Sequence, residues 1–182
     1  QLVVGERGGG DSLTPGGLWT IPTATYDNTS TWSRVYDDPD DYEWQSITKF
    51  GSTFYAFLCD YSLGKWKVQR STNLTTWTTD LNYVTQSVGY DNRGMLINAG
   101  SKLVTLAPKA SDSKFHMWVL SSEGGSWTDY DLTISIPTQA SNIKGWWDSR
   151  QLKIVFSISR WTDKQYNFYR VNIDNTGLET LF

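Results

Sequence analysis

The sequence predicts an all-β protein: a β-propeller of four-stranded antiparallel blades, with nearly four blades in this chain. Three observations predict it. First, a polar turn closed by a large apolar residue recurs in VQRSTNLTTW (Val68 to Trp77), WVLSSEGGSW (Trp118 to Trp127), TATYDNTSTW (Thr23 to Trp32) and RVNIDNTGL (Arg170 to Leu178). Anchored on Trp32, Trp77, Trp127 and Leu178, the steps are 45, 50 and 51 residues. Second, short apolar strands keep the same phase, beginning at Gln1, Thr53, Lys102 and Gln151 in steps of 52, 49 and 49 residues. Third, ten Trp, ten Tyr and seven Phe make the chain 15% aromatic, which favours strands over helices. A fixed period of roughly 20 to 50 residues marks a repeat architecture. A β-sandwich spaces its strands similarly but has no reason to repeat at this length.

Each repeat holds four strands, here A to D, and the chain reads as one propeller domain or part-domain over residues 1–182. Its units fall near 1–40, 41–85, 86–138 and 139–182. The first begins at strand B (QLVVG) and ends with strand D (WSRVYDD). The second has strand A from Trp44 to Phe50, a turn at Phe50-Gly51-Ser52, strand B in TFYAFL and strand D in WTTDLNYV. In the third, strand A lies within Gly89 to Asn98, the turn is Ala99-Gly100-Ser101, and KLVTLA and WTDYDLTI are strands B and D. The fourth runs from Asn142 to Trp147, turns at Trp147-Asp148-Ser149, and continues through QLKIVF to LETLF. The small-residue turns are hairpin signals.

Counted this way the chain has 15 strands, because strand A of the first unit is missing. An open inner edge at Gln1 to Gly5 would expose unpaired backbone groups, which natural sheets avoid. The expectation is therefore a larger ring, completed by a further polypeptide or a further segment. A closed four-bladed ring with an irregular first blade is the alternative.

The repeated turn has its own chemistry. Asn73, Glu123 and Asp174 stand four residues before the anchor, where an acceptor side chain can bond turn amides. Gly124 follows at a position suited to positive φ. The anchoring Trp closes the underside as an apolar plug with one N–H to satisfy. The pattern resembles the Asp-box of the sialidase-like propellers, S-x-D-x-G-x-x-W or the shortened S-x-D-G-x-x-W. Ser121, Glu123, Gly124 and Trp127 match the short form best; Ser71, Asn73 and Trp77 match without the Gly; Trp32 and Asp174 mark degenerate copies.

The resemblance implies that the repeated turns share one face, and that the B–C and D–A loops ring the pore mouth on the other. The B–C loops are then Glu6 to Pro15, Asp60 to Lys65, Lys109 to Lys114 and Arg160 to Lys164. These loops supply the ligand-binding candidates Arg7, Tyr61, Arg160 and Trp161, since aromatic rings offer apolar faces to sugar C–H groups. Sialidase catalysis needs three Arg on the substrate carboxylate, a Tyr nucleophile with its Glu, and an Asp acid/base. The family's early Arg-Ile-Pro motif is absent and Glu is scarce in the mouth loops, so no catalytic residue is assigned.

Other chemistry is excluded or thin. The Gly-rich ERGGGDSLTPGG lacks the Lys-Ser/Thr and helix of a phosphate-binding loop. Asp37, Asp38, Asp40 and Asp41 gather oxygen ligands suited to Ca²⁺ but lack EF-hand spacing, and a solvated acidic turn around Pro39 is the simpler reading. His116, the only His, reads as a packed strand residue, and Cys59 as a buried inert thiol. The adjacent Trp146 and Trp147 face opposite sides of a strand, so at most one is core. A net charge of −3 shows no nucleic-acid footprint, and no apolar run approaches the about 20 residues of a membrane helix. No cofactor is implied. The sequons at Asn28 and Asn73 read as turn chemistry. The first residue, Gln rather than Met, points to a processed, excised or partial chain.

The function expected from these residues is noncatalytic recognition of a carbohydrate or a cell-surface protein. The setting is extracellular or a virion surface, as in phage proteins and microbial adhesins of similar composition. A fragment of a sialidase-like glycoside hydrolase and a structural module of a larger particle are the alternatives.

Overall fold

The computed structural model describes residues 2–5, 17–21, 33–37, 42–60, 64–84, 94–136, 141–160 and 164–182. They form fifteen strands in four antiparallel sheets. The first sheet contains β1 (Leu2–Gly5), β2 (Gly17–Ile21) and β3 (Ser33–Asp37) in that order. The second contains β4 (Glu43–Phe50), β5 (Thr53–Asp60), β6 (Lys65–Ser71) and β7 (Thr78–Val84). The third is β8 (Met95–Asn98), β9 (Leu103–Lys109), β10 (Lys114–Leu120) and β11 (Trp127–Ser135). The fourth is β12 (Ser141–Asp148), β13 (Lys153–Arg160), β14 (Tyr166–Asn172) and β15 (Glu179–Thr180).

Each sheet is a simple meander, and the sheets stack as propeller blades. The first strands of successive sheets touch in series, β1 to β4, β4 to β8 and β8 to β12. Both faces of a middle strand are therefore covered, and period-two alternation sends its side chains two ways. On β5, Tyr55, Phe57 and Cys59 enter the core shared with the third sheet, while Ala56 and Leu58 enter the core shared with the first. On β10, Trp118 and Leu120 point back to the second sheet, and Phe115, Met117 and Val119 point on to the fourth. Each fully buried residue of this size contributes about 1.5–3 kcal/mol. The bulk of the stability thus lies in the gaps between sheets.

The expected all-β blade architecture and its fifteen strands are what the described residues form. Cys59 and His116 are buried, as expected. Trp147 packs against the core and Trp146 is 53% exposed. One boundary is corrected. The fourth hairpin turn is longer than expected: Asp148 pairs with Lys153, so β13 begins at Lys153 rather than Gln151. The reason is local chemistry, since the Asp148 carboxylate accepts from the N–H groups of Arg150 and Gln151 and holds a wider loop. Among the described residues no helix is long and apolar enough to cross a membrane.

Candidate functional site

The described repeated turns, between the third and fourth strands of the second, third and fourth sheets, lie at the same end of those sheets. In the second sheet, Asn73 Oδ1 accepts from the N–H groups of Thr75 (3.0 Å) and Thr76 (2.9 Å). Ser71 Oγ accepts from Leu74 N–H at 2.8 Å. Trp77 closes the turn by donating Nε1–H to the Leu74 carbonyl at 3.1 Å. In the fourth sheet, Asp174 takes the same part, accepting from Thr176 N–H (3.0 Å) and Thr176 Oγ1 (2.6 Å). The residue after each acceptor is left-handed: Leu74 has φ 68°, Gly124 φ 68° and Asn175 φ 64°.

Glu123 departs from the expected role. It does not bond its own turn amides but reaches into the preceding sheet. Ser52 donates its N–H at 3.0 Å and its hydroxyl at 2.5 Å, and the Thr53 hydroxyl donates as well. The extra methylene of Glu over Asn or Asp lets the carboxylate overshoot the turn. Beside it, Gly124 N–H donates to the Tyr55 hydroxyl at 3.1 Å, and Trp127 Nε1–H reaches Asp80 at 3.4 Å. Asp80 also pairs with Arg70 at 3.2 Å. Burial pushes the Asp80 carboxyl above the usual range, while Arg70 and Trp127 oppose that shift.

The hydroxyls of Ser52 and Thr53 and the Ser52 amide pull the Glu123 carboxyl down to about 2. Because the folded value lies below the ordinary 4.5, the latch contributes its full stability above pH 4.5 and loses it as pH falls toward 2. Glu123→Gln is therefore expected to lower the thermal midpoint at neutral pH, with the gap to wild type closing between pH 4.5 and 2. A gap that stays constant over this range would rule out the carboxylate as the source.

Between the second and third turns lies an open groove of about 510 Å³. Its walls are Thr53, Arg70, Ser71, Thr72, Asn73, Thr76, Thr78, Glu123 and Gly124. The lining is hydroxyl, amide, guanidinium and carboxylate. Such a surface can donate and accept hydrogen bonds in close array but has no paired acid and base free for proton transfer, since Glu123 is held by three donors.

The opposite end of the sheets is set by register. Asp60 pairs with Lys65, Lys109 with Lys114, and Ser159 with Tyr166, so in the second, third and fourth sheets the second and third strands meet at the end away from the repeated turns. Arg160 ends β13 at that end. Arg7, Tyr61 and Trp161 lie outside the described residues, as do Trp32, Asp38, Asp40 and Asp41, while Asp37 ends β3. In the third sheet this end is closed by a charged clamp. His116 Nδ1 is 2.5 Å from Asp129 and Nε2 is 2.7 Å from Asp112, with the ring against Trp118 at 5.4 Å. Lys109 pairs with Asp129 at 2.5 Å and Lys114 with Asp131. Among the described residues no group of three or more His, Cys, Asp or Glu is placed to hold a metal ion.

The structure brings together Ser71, Asn73, Glu123 and Gly124 from the turn motif at the groove. Trp127 flanks it through Asp80, Ser121 is exposed beside it, and Asp174 belongs to the next turn along. Sequence reading missed Ser52, Thr53, Tyr55, Arg70 and Asp80. Only the pairing of a hairpin Ser-Thr with an acid in the following unit's turn could have pointed to them.

No family model matches the sequence, and no curated protein matches it. Among solved structures, an oligogalacturonate lyase in complex with manganese aligns with a TM-score of 0.48 at 11% identity, over 91% of this chain and 47% of that one. The chain thus spans about half the length of that structure.

Proposed function

We propose that this chain is a noncatalytic recognition module that binds a carbohydrate, with the groove between the second and third repeated turns as a contact surface. The observation that carries the reading is the groove's lining. Five hydroxyl side chains, the Asn73 amide and the Arg70 guanidinium converge there. Sugar hydroxyls both donate and accept, and such mixed groups match them. The volume falls within the roughly 300–1,000 Å³ of small-molecule sites. In this reading Arg7, Tyr61, Arg160 and Trp161, the loop residues that the turn resemblance implicates, form a second contact surface. The turn resemblance to sialidase-like propellers and an extracellular or virion-surface setting are part of the same proposal.

The test is a glycan panel followed by titration calorimetry on wild type and the double variant Thr72→Ala/Thr76→Ala. Both side chains are exposed, and the turn uses only the backbone N–H of Thr76. The thermal midpoint should stay in place while affinity falls roughly fivefold to a hundredfold, from two lost hydrogen bonds of about 0.5–1.5 kcal/mol each. Binding that survives this variant but is lost in Trp161→Ala would move the site to those loop residues. A panel with no bound glycan sinks the reading.

A further inference from the structure

The cation in the groove is only half used by the fold. Arg70 shares a face of β6 with Trp66 and Val68, which fill the gap between the second and third sheets. Two residues beyond Val68, at the turn end of the strand, its guanidinium emerges at the mouth of that gap. Its Nε lies 3.2 Å from Asp80 Oδ1, and the two side chains are 35% and 8% exposed. The ion pair therefore takes the inner edge of the guanidinium. Neither Nη group makes a hydrogen bond with a described residue. Arg70 lines the groove, and a Cβ on Gly124 would stand 3.3 Å from Nη1. The bare backbone of Gly124 keeps that outer edge uncovered.

Two observations say what fits this edge. The first is its chemistry. A guanidinium carries its N–H donors in a planar fork, and with Nε committed the two Nη groups still offer a parallel pair. A sugar hydroxyl takes one such bond, whereas a carboxylate or a sulfate ester takes both and brings the opposite charge. The second is where the other polar groups of the groove are directed. The Glu123 carboxylate is turned back to the hairpin at Ser52 and Thr53, held there by three donors, and Lys49 is a cation that acts on it. Asn73 uses Oδ1 for the N–H groups of Thr75 and Thr76, so toward a ligand it offers its amide donors.

We propose that the groove selects an anionic sugar, one bearing a carboxylate or a sulfate ester, with the anion on the Nη fork of Arg70 and the sugar hydroxyls on Thr72, Asn73 and Thr76. This inference rests on the carbohydrate reading and names the class of sugar. The charge is read by one residue whose outer edge meets water, so recognition weakens as salt screens it.

Titration calorimetry with matched oligosaccharides tests it: a hexuronic acid oligomer beside its methyl ester, and a sulfated oligomer beside its desulfated form. The protein should bind the anionic member of at least one pair roughly tenfold to a hundredfold tighter, as hydrogen bonds to a charged group allow. The pair that shows the preference tells carboxylate from sulfate. The double variant Arg70→Gln/Asp80→Asn removes both charges of the ion pair together and keeps an amide oxygen for Trp127 Nε1–H. It should abolish the preference. Arg70→Lys keeps a cation beside Asp80 but loses the fork, so most of the preference should go with it, and this variant decides the matter if the double variant does not fold. Equal affinity within both pairs overturns the inference and leaves the carbohydrate reading standing. A preference undiminished in the double variant, or in Arg70→Lys, means that this fork does not read the anion, and overturns it too. Binding of no member overturns it as well, and the carbohydrate reading falls with it only if the glycan panel is also empty.

Discussion

Trp66→Ala is expected to lower the unfolding free energy by about 3–5 kcal/mol, measured by urea denaturation. Trp66 sits on β6 at 0% exposure, in the gap between the second and third sheets. Its ring stacks on Phe57 at 5.2 Å and meets Trp118 edge-on at 4.9 Å. Its Nε1–H donates to the Pro108 carbonyl at 2.8 Å, across the gap. Truncation removes the transfer free energy, leaves a cavity that two backed sheets cannot close, and strands a buried carbonyl. The last of these alone costs about 1–3 kcal/mol. Trp66→Phe keeps an aromatic plug and loses the hydrogen bond, so its loss should be smaller. If Trp66→Ala costs less than about 1 kcal/mol, the gap is not the cooperative core described above.

The fold was legible because two independent markers repeat in phase and each has a physical cause. Strand B reads as an unbroken apolar run, TFYAFL or KLVTLA, because both of its faces are covered by neighbouring sheets. The turn geometry was only half legible. All three described turns need a left-handed residue after the acceptor; Gly124 and, more weakly, Asn175 advertise it, and Leu74 does not. Leu74 adopts φ 68° against a cost of about 1–2 kcal/mol, offset by its burial at 3% exposure between the first and second sheets. The groove was not legible, because its walls come from different repeats. Glu123 and Thr53 are 70 residues apart and meet only when sheets stack. Spacing within one repeat carries no trace of that meeting. Glu123 itself was assigned to its own turn, since residue type shows that an acceptor is present but not how far it reaches.

Gly145→Ala should destabilise the protein by about 1–3 kcal/mol, the usual cost of forcing atoms into a filled site. Gly145 lies in the middle of β12, opposite Phe156, where a strand normally prefers a side chain. A Cβ there would stand 2.7 Å from the Val155 carbonyl oxygen, 2.8 Å from Phe156 Cβ and 3.2 Å from Phe156 Cα. None of these atoms can swing aside like the tip of a flexible side chain. The strand pair must part, and Phe156, buried at 1% exposure between the third and fourth sheets, moves with it. Gly100→Ala separates this clash from simple backbone strain. Gly100 has φ 75°, and a Cβ there meets nothing within 4 Å. Its cost should be the left-handed penalty alone, about 1–2 kcal/mol, with the packing of Phe156 untouched. The two variants then differ in a way unfolding free energy alone does not show. Amide exchange along β12 and β13 should quicken selectively in Gly145→Ala and stay unchanged there in Gly100→Ala. Equal exchange in both would mean the fourth sheet absorbs the methyl without parting, and the close approach at Gly145 would not be what demands glycine.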